Sequence, residues 1–266
     1  MNLLCPICAS PLSRETGCWR CPNQHSFDIA RQGYVNLLPV NQKHSLHPGD
    51  TQLQVAARRE FLDGGFYQPI ARTLIEAARA RSIQGEILDV GCGEGYYSAQ
   101  LAQALNLPLT GLDISKEAVR RAAGKYKGYQ WLCATASHIP VPDGSAGLVM
   151  SLFALTVPQE FHRVLAPGGY FFQVLAESDH LLGLKSIIYD QVTEKAPQEI
   201  PELPGFTLEE TVPVRFSFTV EGRQVHNLLA MTPHWFRISK EGAKRLEETP
   251  SLTDTASCVL SVFRRD

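Results

Sequence analysis

The sequence has little that would place the protein in a membrane or send it out of the cell. In 266 residues the longest apolar stretch is Ala146 to Val157. Its 12 residues, interrupted by Ser151 and Thr156, are too few to span a bilayer. The first five residues, MNLLC, carry neither the basic segment nor the apolar core of a signal peptide. The sequence therefore predicts a cytoplasmic protein without membrane contact.

The chain also lacks a strong charge of either sign and a disulfide pattern. Its formal net charge is −2 and its pI is near 6.5, so a nucleic-acid partner would need a local basic surface. Residues 1–60 carry six lysines and arginines against four acids, which is only a mild local excess. Of the seven cysteines, three stand alone late in the chain, which is not the spacing of a disulfide framework.

The other four cysteines are concentrated at the start of the chain. Cys5-Pro-Ile-Cys8 is followed, after twelve intervening residues, by Cys21-Pro-Asn-Gln-His25. Three thiolates and an imidazole at this spacing suit tetrahedral zinc. Cys18 forms a second C-x-x-C pair with Cys21, so a site with four thiolates is the alternative. Either set fills all four positions, which predicts a structural metal and a zinc-binding module over residues 1–38.

A glycine-rich turn in the middle of the chain lies between a predicted strand and a predicted helix. Ile87–Val90 is a short apolar run with Asp89 inside it, which is typical of a buried parallel strand. Gly91, Gly93 and Gly95 follow at once. Glycine at these positions allows a tight turn and lets a ligand approach the backbone closely. We expect the helix after the turn to direct its N-terminus at that ligand.

The next predicted strand, Leu109–Asp113, ends in an acid that can hydrogen-bond both hydroxyls of a ribose. The phosphate-binding pattern G-x-x-x-x-G-K-[ST] is absent from this turn. Glu94 within the turn suits a ligand with a positively charged amine better than a pyrophosphate. Strand, turn and acid together resemble the first motif of the class I S-adenosylmethionine-dependent methyltransferases. The alternatives are a dehydrogenase-like Rossmann domain and a packed turn that binds no ligand.

Strands and helices alternate around this motif, which predicts an α/β domain with a parallel sheet. Helices are predicted at 51–62 with Asp50 as N-cap, 69–81, 98–105, 116–123, 158–165 and from 179, and further strands at 130–133, 146–153, 170–175, 210–220 and 256–263. The last two strands are expected to pair antiparallel at the sheet edge. Ligands bind beyond the carboxyl ends of parallel strands. One crevice should therefore be lined by Gly91–Gly95, Asp113, Ala134–Ala136 and Phe153–Thr156.

Two stretches rich in turn-forming residues are predicted as loops. Residues 39–50 form a linker or a substrate loop, and residues 193–205 form a second loop. The predicted organisation is a zinc-binding module at 1–38, a linker and helix at 39–65, and a methyltransferase domain at 66–266.

Several longer strings extend the likeness beyond the glycine turn. They follow one another along the chain as Cys5/Cys8/Cys21/His25, Gln32–Leu38, Pro48–Asp50, Ala57–Leu62, Tyr67–Pro69, Val90–Tyr97 and Met231–Trp235. Together they resemble the bacterial 23S ribosomal RNA guanine-N1 methyltransferases of the RlmA type. The resemblance implies a class I methyltransferase Rossmann-like sheet with an N-terminal zinc-ribbon module.

The same resemblance implies ligands and a substrate. It implies zinc at Cys5, Cys8, Cys21 and His25, which sets Cys18 aside. It implies S-adenosyl-L-methionine contacts at Tyr67, Gly93, Glu94 and His180, in addition to the motif positions Asp89, Gly91, Gly95, Asp113 and Ala134. The implied partner is 23S rRNA, methylated on a guanine in a hairpin loop, with the zinc module helping to grip RNA. A homodimer is left open.

One stretch departs from the pattern of that family. After the fourth strand of the domain the family tends to show a proline and a lysine, whereas this sequence reads Phe153-Ala-Leu-Thr-Val-Pro158. This run is the lip of the predicted crevice. The alternatives are therefore a methyltransferase for another RNA or a small molecule, or an RNA-binding relative without activity. Glu160 and His180 are the candidates for accepting the guanine N1 proton.

Overall fold

The computed structural model describes residues 1–39, 49–192 and 199–266. Within these ranges the strands are β1 (Leu3–Leu4), β2 (Pro11–Arg14), β3 (Cys18–Arg20), β4 (Ser26–Asp28), β5 (Val35–Asn36), β6 (Glu86–Val90), β7 (Leu109–Asp113), β8 (Gln130–Cys133), β9 (Ala146–Leu152), β10 (Leu165–Ala176), β11 (Phe206–Glu221) and β12 (Ser251–Arg265). The helices are α1 (Gln52–Asp63), α2 (Gln68–Ala80), α3 (Tyr96–Leu105), α4 (Lys116–Lys125), α5 (Pro158–Val164), α6 (Leu182–Ile188), α7 (Arg223–Ala230) and α8 (Lys240–Glu247), with a 3₁₀ turn at Pro233–Phe236.

The large sheet has the strand order β11-β12-β10-β9-β6-β7-β8-β5. The pairs from β10 across to β5 are parallel, whereas β12 runs antiparallel to both β10 and β11. Numbered from β6 in chain order and without β5, the strands read 3-2-1-4-5-7-6. This is a doubly wound Rossmann-like order with one antiparallel strand inserted. The parallel sheet and the late antiparallel pair are therefore confirmed.

Capping residues decide where several helices begin. Thr51 is the N-cap of α1: its hydroxyl accepts from the Gln54 N–H, and the Gln54 side chain accepts from the Thr51 N–H. The predicted cap, Asp50, is wrong by one residue, because its carboxylate instead accepts a hydrogen bond from Arg58. Ser115 caps α4 as predicted.

Other predicted elements are present with shifted ends. The helix predicted at 98–105 begins at Tyr96, directly after the glycine turn. The fifth strand of the domain extends well beyond the predicted 170–175, because it pairs with β9 on one side and β12 on the other. The helix predicted from 179 begins at Leu182. Helices α7 and α8 have no counterpart among the predicted elements.

The four-stranded sheet of β1 to β4, called the ribbon below, packs directly against the large sheet. Leu3 of the ribbon is buried in one cluster with Leu88 of β6. The Leu4 N–H donates to the Pro140 carbonyl at 2.8 Å. Within the predicted zinc-binding module at 1–38, β5 pairs with β8 and extends the large sheet. The end of the predicted zinc module is therefore shared with the sheet.

Both predicted loops fall partly outside the described residues. Residues 40–48 of the predicted linker and 193–198 of the predicted second loop lie there. The described remainder of the second loop, 199–205, contains no helix or strand. None of the helices in the described ranges has the length and apolar character that crossing a bilayer requires.

Candidate functional site

A cavity of about 920 Å³ opens beyond the carboxyl ends of β6, β7, β8 and β9. The strand order reverses between β6 and β9, and ligands of doubly wound sheets bind at such a switch point. Eight of the nine predicted cofactor residues line the cavity: Tyr67, Asp89, Gly91, Gly93, Glu94, Asp113, Ala134 and His180. The sequence pattern and the backbone topology therefore converge on one place.

Two predicted crevice residues lie off the cavity wall. Gly95 has φ +81° and serves as the N-cap of α3, where an added Cβ would lie 2.4 Å from the Trp131 ring. Both the backbone conformation and the contact with Trp131 therefore require glycine at this position. Thr156, the last residue of the predicted crevice lining, is turned away and accepts from the Gln173 side chain at 2.8 Å. The preceding lip residues, Phe153–Leu155, do line the cavity.

Asp113 lies at the end of β7 with its carboxylate held by backbone donors. Its Oδ2 accepts from the Gly93 N–H at 2.9 Å and its Oδ1 accepts from the Ser115 N–H at 2.8 Å. Burial raises the pKa of Asp113, although both N–H groups favour the charged form. Each oxygen keeps a further lone pair, so the carboxylate is fixed in place and can still accept from a ligand.

Glu94 is a buried carboxylate that the protein leaves partly unsatisfied. The residue is 3% exposed, and among the described residues no donor reaches its Oε1. Burial raises the pKa of Glu94, and Arg58 opposes that shift. Buried polar atoms in proteins are almost always paired. An unpaired acid oxygen on a cavity wall therefore indicates a place for the N–H or O–H of a ligand.

Asp89, near the end of β6, is the third acid on the cavity wall. It is 4% exposed, and burial raises its pKa to about 7, with a further contribution from the nearby Asp113. A positively charged ligand in this cavity would favour the ionised form of each carboxylate. The electrostatics of the site thus suit a cation better than a phosphate.

At Gly91 the backbone that follows β6 packs against Ala154 of the lip. Its φ is +81°, and an added Cβ would lie 2.6 Å from the Ala154 Cβ. Backbone conformation and space therefore both require glycine at this position. As a result the turn backbone itself forms part of the cavity wall.

Tyr67 and His180 meet on the cavity wall although they are far apart in the sequence. The Tyr67 hydroxyl oxygen lies 3.3 Å from His180 Nε2, and His180 Nδ1 lies 3.0 Å from the Ser257 carbonyl oxygen. Burial raises the pKa of Tyr67 and lowers the pKa of His180 to about 4. Both side chains are therefore neutral at pH 7, and they can position a ligand by shape and hydrogen bonding.

A second candidate site lies in the ribbon. The ligand atoms of Cys5, Cys8, Cys21 and His25 all lie within 4.8 Å of one another. His25 Nδ1 is 3.5 Å from Cys5 Sγ and 3.4 Å from Cys21 Sγ, and Cys8 Sγ is 3.7 Å from Cys21 Sγ. Zinc–sulfur bonds of about 2.3 Å give a tetrahedron edges of about 3.7 Å. Three of the six separations between ligand atoms therefore match a tetrahedral zinc site, and the others lie within 4.8 Å.

Cys18 lies apart from that group. Its Sγ is 3.8 Å from the Glu15 carboxylate, at the other end of the β2–β3 turn. The structure thus groups His25, and not Cys18, with the other three thiols.

Glu160, one of the two candidate proton acceptors, lies outside the cavity lining. Its carboxylate accepts from the Arg163 guanidinium and from the Ile139 N–H, both at 2.8 Å. Burial would raise the pKa of Glu160, but these two donors outweigh it and lower the pKa. The side chain therefore holds α5 against the segment before β9 instead of facing a substrate.

Comparison with known proteins covers both sites. Residues 3–46 match the family model described as RlmA, N-terminal, and residues 87–169 match a methyltransferase domain. Over 276 aligned residues the chain is 34% identical to the 23S rRNA (guanine(748)-N(1))-methyltransferase of Streptomyces fradiae, which covers 98% of this chain and 96% of that protein. The chain belongs to this RlmA-type methyltransferase family.

Two further relatives in this methyltransferase family carry names that assign them to 23S rRNA guanine-N1 methylation. The protein from Micromonospora griseorubida is 37% identical over 205 residues, which is 69% of this chain and 68% of that protein. The protein from Bacillus subtilis (strain 168) is 29% identical over 263 residues, which is 93% of this chain and 91% of that protein.

The cofactors of this methyltransferase are S-adenosyl-L-methionine and zinc. The cavity fits the first, because the unpaired oxygen of Glu94 and the remaining lone pairs of Asp113 can accept from an amine and from ribose hydroxyls. Its three acids also suit the positive charge of the sulfonium. The ribbon fits the second, because three sulfurs and one imidazole nitrogen are the donor set that zinc prefers.

Some residues that line the cavity of this methyltransferase were not among the predicted cofactor contacts. Arg58 donates to the Asp50 carboxylate and, at 3.2 Å, to the Met231 carbonyl on the cavity wall. His234 and Phe236 also line the cavity. The segment that contains Met231 and His234 had been noticed only through the family resemblance, which says nothing about where it folds.

The depressed pKa of His180 makes a pH-dependent contribution to stability. The unfolded chain binds a proton at this histidine below pH 6.5, whereas the folded chain does so only near pH 4. The contribution is therefore complete above pH 6.5 and is lost as the pH falls toward 4. Between pH 7 and pH 5 the native chain should lose about 1–2 kcal/mol more unfolding free energy than a His180→Asn variant.

Urea unfolding of both chains at the two pH values checks this expectation. Asp89 also titrates in this range, and its raised pKa changes stability with pH in the opposite direction. Because Asp89 is present in both chains, the difference between their losses of unfolding free energy reports on His180. Equal losses in the two chains would contradict the assigned burial of the imidazole.

Proposed function

We propose that this methyltransferase transfers a methyl group from S-adenosyl-L-methionine to N1 of a guanine in a hairpin loop of 23S rRNA. The observation that carries the proposal is the alignment with the Streptomyces fradiae enzyme, whose name specifies N1 of guanine 748 of 23S rRNA. That alignment spans 98% of this chain and includes both the ribbon and the cavity. Both parts are therefore expected to serve the same substrate.

In this proposal the cavity residues hold the cofactor. Asp113 accepts from the ribose hydroxyls, and Glu94 accepts from the amine. Tyr67 and His180 close the wall beside them. The bound cofactor supplies a methyl group that its sulfonium already activates. The protein's task is orientation, and holding two reactants in line can lower a barrier by about 7–11 kcal/mol.

The guanine N1 proton must leave during the reaction. Because the pKa of His180 is lowered to about 4, this imidazole is a weak base at neutral pH. Glu160 is engaged by Arg163 outside the cavity. We therefore assign the proton to neither group.

In the same proposal Cys5, Cys8, Cys21 and His25 hold zinc. The proposed units are a zinc-binding module at 1–38 that grips RNA, a linker and helix at 39–65 that contributes Arg58 to the cavity wall, and a methyltransferase domain at 66–266. Zinc takes no part in the chemistry, since four protein ligands leave no open position. A ribosomal substrate would place the protein in the cytoplasm.

The test is transfer of tritiated methyl groups from the cofactor to 23S rRNA that lacks its own guanine-N1 methylation. We expect incorporation into 23S rRNA and none into transfer RNA or small-molecule acceptors. Transfer to one of those acceptors alone would replace the proposed substrate. If the cofactor and the RNA both bind without any transfer, the chain is a non-catalytic relative and the proposal fails.

A further inference from the structure

Three large apolar side chains stand exposed where the cavity opens. Phe153 is 42% exposed, and Leu155 and Phe236 are each 71% exposed. All three line the cavity, although Phe236 comes from a turn more than 80 residues away in the sequence. Single exposed apolar residues are ordinary, but a group of them around one opening marks a binding surface.

The backbone at Phe153 is held in a conformation that aromatic residues rarely adopt. Its φ is +53°, in the left-handed region, and its N–H donates to the Val174 carbonyl at 2.9 Å. The next residue, Ala154, lies against the position that a side chain at Gly91 would occupy. The lip is therefore fixed to the end of the sheet, and this fixed backbone holds the Phe153 ring at the opening.

The groups around the Phe153 ring limit which kinds of ligand can bind beside it. Its centroid lies 6.1 Å from that of the His180 ring, and the two planes are tilted by 35°. The pKa of His180 is lowered, so this neighbour is neutral at pH 7. Of the three carboxylates on the cavity wall, Asp89 and Glu94 are 4% and 3% exposed, whereas Phe153 is 42% exposed. This arrangement fits two ligands: a flat, uncharged ring beside Phe153 and a positively charged group beside the carboxylates.

A nucleobase has that flat face, and bases taken out of a loop are stacked on aromatic side chains by proteins that read RNA. We propose that Phe153 and Phe236 form the stacking surface that positions the target guanine at the cavity opening, with Leu155 extending its apolar edge. The inference rests on the proposed function and specifies which residues hold the substrate base. Both phenylalanines position the base, and neither contributes to cofactor binding.

The structure supplies a matched control for the variants. Trp235 directly precedes Phe236 and is 38% exposed, but it is not among the residues that line the cavity. Phe153→Ala and Phe236→Ala should each lower kcat/KM for the 23S hairpin about 5- to 150-fold, the range that corresponds to loss of one stacked base. Phe153→Tyr should stay within about threefold of the native chain, and Trp235→Ala should leave kcat/KM unchanged. Calorimetric affinity for S-adenosyl-L-methionine should be the same in all five proteins.

A second measurement follows the base directly. The guanine found to be methylated is replaced in the hairpin by 2-aminopurine, whose fluorescence is quenched when it stacks. The native protein and Trp235→Ala should keep the fluorescence low, whereas Phe153→Ala should raise it at saturating protein. Thermal unfolding of each variant shows whether its fold is retained.

The outcomes separate this inference from the proposed function. If the native chain methylates the hairpin and folded Phe153→Ala and Phe236→Ala do so equally well, the stacking surface is wrong and the function stands. If 2-aminopurine fluorescence is unaffected by Phe153→Ala, the assignment of Phe153 is likewise overturned. If the native chain transfers no methyl group to RNA, the proposed function itself fails.

Discussion

Asp113→Ala is expected to weaken S-adenosyl-L-methionine binding about 100-fold or more. Each hydrogen bond to a charged group contributes about 1.5–3 kcal/mol, and the ribose offers two hydroxyls to this carboxylate. Losing about 3 kcal/mol corresponds to a factor of more than 100 in Kd. The substitution also leaves the Gly93 and Ser115 N–H groups without the acceptor that fixes the glycine turn. Isothermal titration calorimetry with the full chain measures the effect.

The control for Asp113→Ala is another aspartate with ordered contacts away from the cavity. Asp143 is 78% exposed and pairs with Arg163 at 2.8 Å, so Asp143→Ala should bind the cofactor like the native chain. Circular dichroism of both variants establishes that each is folded. An unchanged Kd in folded Asp113→Ala would contradict the placement of the ribose at the end of β7.

Cys21→Ser is expected to remove zinc from the protein and to unfold the ribbon. Structural zinc sites contribute on the order of 10 kcal/mol to the folding of their modules. Cys21 is 2% exposed and belongs to the same buried cluster as Leu88 of the large sheet. Unfolding of the ribbon should therefore destabilise the large sheet as well, and the melting temperature of the whole chain should fall. Metal analysis by mass spectrometry and a thermal scan record the two effects.

Cys18→Ser is the matched control, since the two thiols belong to one C-x-x-C pair in the sequence. The Cys18 thiol faces Glu15 and lies outside the group of four ligand atoms. This variant should keep one zinc per chain and nearly the native melting temperature. Zinc lost from Cys18→Ser but retained by His25→Ala would favour the site with four thiolates instead.

Much of the fold could be predicted because its signals are local. The apolar run before Gly91, the acid at the end of the next strand and the cap at Ser115 each depend on a few neighbouring residues. The alternation of strands and helices then gives the parallel sheet, and the sheet gives the position of the crevice. Eight of nine predicted cofactor residues line one cavity for that reason.

The features that were missed depend on contacts distant in the chain. Val35 and Asn36 were predicted within the zinc-binding module at 1–38. They join the large sheet because the edge of β8 is free to pair with them. Arg58 is one of two neighbouring arginines on α1, and only the packed structure places it among the cavity acids. Gly95 fits the glycine pattern as well as Gly91 does, yet Trp131, more than 30 residues later, decides its role.

The most direct test of the account is nucleoside analysis of the reaction product. Purified protein, S-adenosyl-L-methionine and the unmethylated 23S hairpin are incubated together, and the digested RNA is analysed by mass spectrometry against methylguanosine standards. The account predicts 1-methylguanosine at a loop position with the native chain, and far less of it with Asp113→Ala at a cofactor concentration near the native Kd. A methyl group on a different guanine atom, or equal product from Asp113→Ala, would contradict it.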